Sequence, residues 1–154
     1  MSMEQARASL RQAGLEDRII ELAESSATVA LAAQALHCEP AHIAKTLSFE
    51  QGEGALLVVA AGDARIDNAK FKHRFGMKAR MLSAERVEPL IGHAVGGVCP
   101  FGVKPGVPVY LDESLRRFDV VYPAAGTGAS AVRLSIGELE RASASAGWVD
   151  ECRV

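Results

Sequence analysis

Seven consecutive apolar residues, Ala55-Leu56-Leu57-Val58-Val59-Ala60-Ala61, set the strongest limit on how this chain can fold. A strand on a half-solvated sheet alternates apolar and polar side chains. An unbroken run reads instead as a strand buried on both faces. The preceding stretch Thr46 to Phe49 also reads as a strand, and Gln51-Gly52-Glu53-Gly54 between them as a turn, so the pair forms a hairpin. A strand covered on both sides needs a sizeable core. The chain has 154 residues, 49% of them apolar, which supports one domain of that kind.

Helical patterns flank the hairpin. Met3 to Ala13 ends at Gly14, Asp17 to Ala23 places Ile19, Ile20 and Leu22 on one side, and Val29 to Leu36 follows Thr28 as its cap. Pro40 opens a short helix through Ala44. Asn68 to Phe75 is a basic helix stopped by Gly76, and Ser83 starts another that ends near Gly92. Brief strands are expected at Ala79–Leu82, Val107–Leu111, Asp119–Tyr122 and Ala131–Leu134; Pro108 marks the second as an edge. Asp112 to Phe118 is a turn or one helical turn, and Ser135-Ile136-Gly137-Glu138 is a capping box for the final helix. Helices and strands mix irregularly, so the expected fold is a single compact α/β domain, residues 1–154, with a mixed sheet.

Composition narrows the function classes. A formal charge of −2 argues against a general nucleic-acid coat protein but leaves room for a local basic patch. The N-terminal residues carry no apolar signal core, and the longest apolar runs are too short to span a bilayer. The cysteines, Cys38, Cys99 and Cys152, are few and odd in number, as expected of a reducing, cytoplasmic setting.

Two segments carry chemistry. Val95-Gly96-Gly97-Val98-Cys99-Pro100-Phe101-Gly102 is a glycine-rich loop whose backbone N–H groups can approach a ligand. It fits neither a Walker loop nor a dinucleotide fingerprint, so no ATP, NAD or other cofactor is expected; the bland alternative is a bulge or turn. In the second segment Lys45 stands among Ile43, Ala44, Leu47 and Phe49, with no obvious acidic neighbour nearer than Glu39 and Glu50. It is either a lysine at a helix C-terminus or a semi-buried cation that meets a ligand anion. Cys99 with His93 as base lacks any hydrolase signature. His37, Cys38 and His42 lack zinc spacing, so no metal is expected. Lys70, Lys72, Arg74, Lys78 and Arg80 form one basic run, with no acid between Asp67 and Glu85. That run is a solvated helix face or a phosphate contact.

At these residues the chain resembles the YbaK/EbsC family, the aminoacyl-tRNA deacylase domain also inserted in bacterial prolyl-tRNA synthetases. The resemblance runs from about Ser25 to Arg141. Its carriers are Thr28-Val29-Ala30-Leu31-Ala32-Ala33, Ile43 to Leu47, Leu57 to Asp63, Gly96 to Gly102, Val109 to Asp112 and Ala124-Ala125-Gly126. The resemblance implies a mixed, barrel-like sheet surrounded by helices. It also implies hydrolysis of the ester that joins a wrong amino acid to proline tRNA or a related tRNA, with a synthetase as a possible further partner; the small residues of the loops Gly96 to Gly102 and Ala124 to Gly128 point to a small amino acid (alanine, serine or cysteine). Lys45 matches the family lysine, and Gly96 to Pro100 its Gly-x-x-x-Pro loop. Lys45 and Gly96 are therefore the expected catalytic pair. Thr28, Gly97, Val98, Cys99, Pro100, Phe101, Gly102 and Gly126 would contact substrate, and Lys70 to Arg80 the tRNA. The subgroup that clears cysteine from proline tRNA carries a serine before Ala-Gly and an aspartate after it; Ala124 to Ala131 has neither at those places. A non-catalytic module that holds a tRNA end and an EbsC-like regulator are the alternatives.

Overall fold

The computed structural model describes residues 2–154. In chain order its elements are α1 (Ser2–Gln12), β1 (Ile19–Glu21), α2 (Val29–Leu36), β2 (Ile43–Gln51), β3 (Gly54–Ala61), β4 (Arg65–Ile66), α3 (Asn68–Phe75), α4 (Ala84–Ile91), β5 (Val109–Asp112), β6 (Val120–Pro123), β7 (Ser130–Val132), β8 (Leu134–Ser135), α5 (Ile136–Ala142), β9 (Gly147–Val149) and β10 (Cys152–Arg153). A mixed six-stranded sheet in the order β8-β6-β2-β3-β5-β9 forms the frame, and the pairs β1–β7 and β4–β10 flank it. The hairpin is antiparallel, with Lys45 opposite Ala60 and Phe49 opposite Leu56. β6 joins β2, and β5 joins β3, in parallel.

β3 is buried on both faces. Leu57 and Val59 enter the main apolar cluster, which α1, α4 and α5 complete through Leu10, Ile91 and Leu139. Leu56 and Val58 enter a second cluster with Phe49 and Phe71 of α3, whose rings lie 4.8 Å apart. Thr28 caps α2 by accepting the Leu31 N–H at 3.1 Å, and Asp67 caps α3. The Ser135–Glu138 capping box is formed. The single α/β domain with a mixed, curled sheet and surrounding helices agrees with expectation.

Several expectations need correction. Asp17 to Ala23 is not a helix: one 3-10 turn at Glu16–Arg18 gives way to β1, because adjacent β-branched Ile19 and Ile20 pair with β7. The turn at Pro40 stops at His42, since Ile43 is already opposite Tyr122 in the sheet. Ala79–Leu82 forms only a single bridge, Met81 to Phe49. The Ala131–Leu134 strand is split at Arg133. β5 is not an edge: it lies between β3 and β9, and Pro108 stands just before it, contributing a carbonyl to Leu57 N–H at 2.9 Å. β9 and β10 were not expected from the sequence pattern.

Those two C-terminal strands hold an unusual group. Between them Glu151 donates its N–H to Asp112 Oδ1 at 2.8 Å, and its carbonyl accepts the Asp67 N–H at 2.8 Å. Its side chain is fully buried, and neither carboxylate oxygen has a hydrogen-bond partner among the described residues. Burial first, then the charge of Asp112, pushes this carboxyl up from 4.5 to about 7. A folded-state value above the unfolded one means that its contribution is complete below pH 4.5 and is lost as pH rises through about 7. The loss is on the order of 3 kcal/mol, from ~1.4 kcal/mol per unit. Glu151→Gln should remove this dependence. In urea denaturation the variant should gain on wild type by about that amount between pH 5 and pH 8, whereas a constant difference contradicts the assignment.

Candidate functional site

A cleft of about 350 Å³ opens where α2, β2, the start of α4 and the loops after α4 and β6 meet. Its existence follows from the ladder of β2. On the edge away from β3, pairing with β6 covers only Ile43 and Ala44. Farther along that edge the Ser48 carbonyl accepts the Leu82 N–H at 3.1 Å, and the Glu50 N–H donates to the Arg80 carbonyl at 2.8 Å. Lys45, Thr46 and Leu47 lie in the gap between these two partners. The cleft fills that gap, and its walls carry small side chains such as Ala27, Ala32, Ala44, Ala84, Ala124 and Ala131.

Lys45 lines the cleft, half-buried. Its ammonium donates to the Ala64 carbonyl and, at 3.5 Å, to that of Gly62. The partner sought for this cation is thus backbone carbonyl, not an acidic side chain. Burial lowers its pKa, partly offset by Cys152 and Asp63. The accepting turn is held from several sides. Ala64 N–H returns to Ala61 at 3.0 Å, Ser114 Oγ accepts the Ala61 N–H at 3.1 Å, and Arg117 clamps Asp63 through bonds of 2.5 and 3.0 Å. A side chain at Gly62 would strike the Pro40 carbonyl.

The glycine loop divides into two parts. Gly96 and Val98 line the cleft, as does Thr28, whose hydroxyl is occupied as the α2 cap. Gly96 is exposed at φ +90°, with room beside it: a Cβ there would lie 3.8 Å from that of Ala27. Gly97, Cys99, Pro100, Phe101, Gly102 and Gly126 do not form the cleft wall. Gly97 packs directly on the second loop, where an added Cβ would sit 2.5 Å from the Gly126 carbonyl oxygen. Gly102 is pressed against the Gln5 carbonyl of α1, and Cys99 and Phe101 are fully buried.

Cys99 and His93 are near each other but do not form a nucleophile and base. Burial pushes the Cys99 thiol up to about 12. His93 is buried and kept neutral, its pKa lowered by desolvation. Its Nε2 lies 2.7 Å from the Phe101 carbonyl, so Nε2 carries the proton and has no lone pair for the thiol 3.5 Å away. The pair anchors the loop.

The basic run also divides. Lys70 is tied to Asp150 and to the Cys152 carbonyl, each at 3.0 Å, and Arg74 lies over the Phe75 and Tyr110 rings. Lys72, Lys78 and Arg80 are exposed and make no ion pair among the described residues. Site features beyond the expected residues are Thr46 and Ser48 on the cleft wall, exposed Met81 and Val95 at its rim, and Ser130. The Ser130 hydroxyl accepts the Ala125 and Thr127 N–H groups at 3.1 and 3.3 Å and so shapes the second loop. A two-residue alternation of small polar residues, Thr46 and Ser48, was the available signal for the first pair.

Residues 23–142 match the aminoacyl-tRNA editing domain family. The chain belongs to that family. The uncharacterized protein YwhH of Bacillus subtilis (strain 168) is 46% identical over 99% of this chain and 98% of its own length. A proline–tRNA ligase of Bacillus cytotoxicus is 30% identical over 52% of this chain, a stretch that makes up 14% of the ligase. The crystal structure of a proposed trans-editing enzyme for prolyl tRNA synthetase superposes with a TM-score of 0.88 at 32% identity, covering 99% of this chain and 98% of that one. Among the described residues of this editing domain, no group of three His, Cys, Asp or Glu side chains is placed to hold a metal ion. No helix among them is long and apolar enough to cross a membrane.

The two adjacent glycines should respond differently to alanine. Gly97→Ala meets backbone that cannot move aside and should cost about 1–3 kcal/mol of stability, as overpacking does. Gly96→Ala meets open space and carries only the strain of its positive φ. Thermal unfolding of both variants checks the order; equal losses would contradict the loop contact.

Proposed function

We propose that this editing domain is a cofactor-free deacylase that hydrolyses the ester between a small, wrongly attached amino acid and the 3′ end of a proline tRNA or a related tRNA. The observation that carries this reading is the cleft itself, which Lys45 and Gly96 both line among small side chains, in a chain of the editing family. An aminoacyl ester is already activated, so positioned water and donors at the developing oxyanion can supply most of the acceleration. Water adds to the carbonyl carbon, the ester C–O bond breaks, and the ribose oxygen leaves with a proton. The products are a free amino acid and tRNA with its 3′ hydroxyl restored.

Lys45 brings a fixed positive charge to a partly desolvated wall, where it acts more strongly on an anionic group than it would in water. Gly96 presents backbone with no side chain between it and the ester. Val98 and Thr28 shape the space for the amino acid, while Gly97, Cys99 to Gly102 and Gly126 hold the loop. Of the basic run, Lys72, Lys78 and Arg80 are exposed and make no ion pair among the described residues, which suits them to tRNA phosphates. A synthetase partner and a cytoplasmic location accord with this role.

Lys45→Ala should stay folded but lose about 1–3 kcal/mol with its bonds to the Ala64 and Gly62 carbonyls. Its deacylation rate should fall at least about tenfold, ~1.4 kcal/mol in the barrier; unchanged turnover removes Lys45 from the site. One tRNA charged separately with alanine, serine, cysteine, proline and phenylalanine tests the substrate. The three small residues should be cleared fastest and with overlapping rates, because apolar walls discriminate weakly over one methyl or hydroxyl. Fastest loss of phenylalanine, or equal loss of all five, contradicts the small cleft. Binding without hydrolysis of any would favour the non-catalytic module.

Charge reversal at Lys72, Lys78 and Arg80 should raise KM and flatten its salt dependence, since fewer counterions are released on binding. Lys70→Glu should act chiefly on stability, because Lys70 is committed to Asp150. An unchanged salt slope in the triple variant would mark these residues as an ordinary solvated surface.

A further inference from the structure

The gap in the β2 ladder leaves one residue's backbone unused. Along an extended strand, alternate residues direct their N–H and C=O to the same edge. Ser48 and Glu50 direct theirs to the Arg80–Leu82 segment. Ala44, on the same alternation, is opposite Pro123 of β6. Thr46 falls between them, so its N–H and C=O point to the edge where no strand continues. That edge is the wall of the cleft, which Thr46 lines. Independently, the Thr46 hydroxyl oxygen is buried without a hydrogen-bond partner among the described residues. Buried polar groups are nearly always paired in folded proteins, so an unpartnered hydroxyl beside an uncovered stretch of strand edge calls for an explanation.

We propose that Thr46 is the substrate's backbone partner: the aminoacyl group takes the place of the missing strand residue beside β2. This rests on the deacylase reading given above. An aminoacyl ester carries an ammonium donor and a carbonyl acceptor two bonds apart, the same sequence of groups that one residue of an added strand would present. Its carbonyl oxygen accepts the Thr46 N–H, and its ammonium donates to the Thr46 carbonyl and hydroxyl. The side chain of the amino acid then points off the edge towards the alanine-lined walls. As water adds, negative charge grows on that carbonyl oxygen and the Thr46 N–H contact strengthens, as for a donor of an oxyanion hole. Lys45, the next residue, faces the Gly62–Ala64 turn with its side chain and leaves this edge to its neighbour's backbone.

Replacing Thr46 by its α-hydroxy analogue turns the Lys45–Thr46 amide into an ester, which removes this N–H and weakens the Lys45 carbonyl opposite Ala60 as an acceptor. Hydrolysis of the alanine ester of adenosine should fall about 100-fold in kcat, the usual loss for one oxyanion donor. The unfolding midpoint should fall only slightly, through the weaker Lys45 carbonyl, because no ladder bond among the described residues uses the Thr46 N–H. Thr46→Val should raise KM about tenfold, and Thr46→Ser should restore it. The wild-type protein supplies the second measurement. On titration with the stable amide analogue 3′-alanylamino-3′-deoxyadenosine, the Thr46 amide proton should move downfield and exchange more slowly. A full rate in the α-hydroxy variant, or a Thr46 amide unmoved while Gly96 shifts, overturns the proposal. If no aminoacyl ester is hydrolysed, the deacylase reading fails, and the amide titration still decides whether Thr46 holds the aminoacyl group.

Discussion

Because β3 is buried on both faces, the chain has to build two apolar covers, and everything else is placed by where those covers end. α1, α4 and α5 close one face through Leu10, Ile91 and Leu139, and α3 closes the other through Phe71. β2, the partner of β3 in the hairpin, is covered less completely along its outer edge, where β6 stops at Ala44 and the Arg80–Leu82 segment starts at Ser48. Exposed apolar backbone edges are costly and prone to pairing with other chains. Here the gap is recessed between α2 and the glycine loop, which keeps other strands out and leaves room for something the size of an amino acid.

The walls of that recess are set by backbone lying against backbone. Gly97 touches the Gly126 carbonyl, and Gly62 lies against the Pro40 carbonyl. Such contacts fix the loops more tightly than side-chain packing could, because no rotamer can relax them. The Lys45 anchor depends on the same device. The turn that receives its ammonium is held by Ser114, Arg117 and the close approach at Gly62. Asp112 ties this region to the C terminus by accepting from Ser114 N–H on one oxygen and from Glu151 N–H on the other. The last strands, with no residue in the cleft wall, thus support the segment that holds the lysine.

Elements whose signal is local were legible in the sequence. The hairpin, α3 with its Gly76 stop and the Ser135 capping box each depend on residues only a few positions apart. β1, β9 and the true position of β5 were not legible, because short strands are decided by which distant segment pairs with them. The same division runs through the site. Lys45 and the glycine loop stood out by composition. That Gly97 serves Gly126 while Gly96 serves the cleft requires the fold, since two adjacent glycines look alike in a sequence. Nor could any spacing show that Lys70 is committed to Asp150, 80 positions away, while Lys72, Lys78 and Arg80 make no ion pair among the described residues. Thr46 was hidden for the opposite reason: its importance lies in bonds its neighbours make and it does not.

The two candidate chemistries for the cleft are separated by proton bookkeeping. A thiol route needs Cys99 as thiolate, yet burial holds it protonated and His93 offers it a proton where a lone pair is required. Forming that anion at neutral pH from a pKa near 12 would cost about 7 kcal/mol before any bond is made, at ~1.4 kcal/mol per unit. A route through water avoids that cost. In the proposed deacylation the charge would instead develop on the substrate's own oxygen, where backbone donors can meet it. On the proposed function an activated ester needs no covalent nucleophile, and the buried Cys99 belongs to the packing of the core.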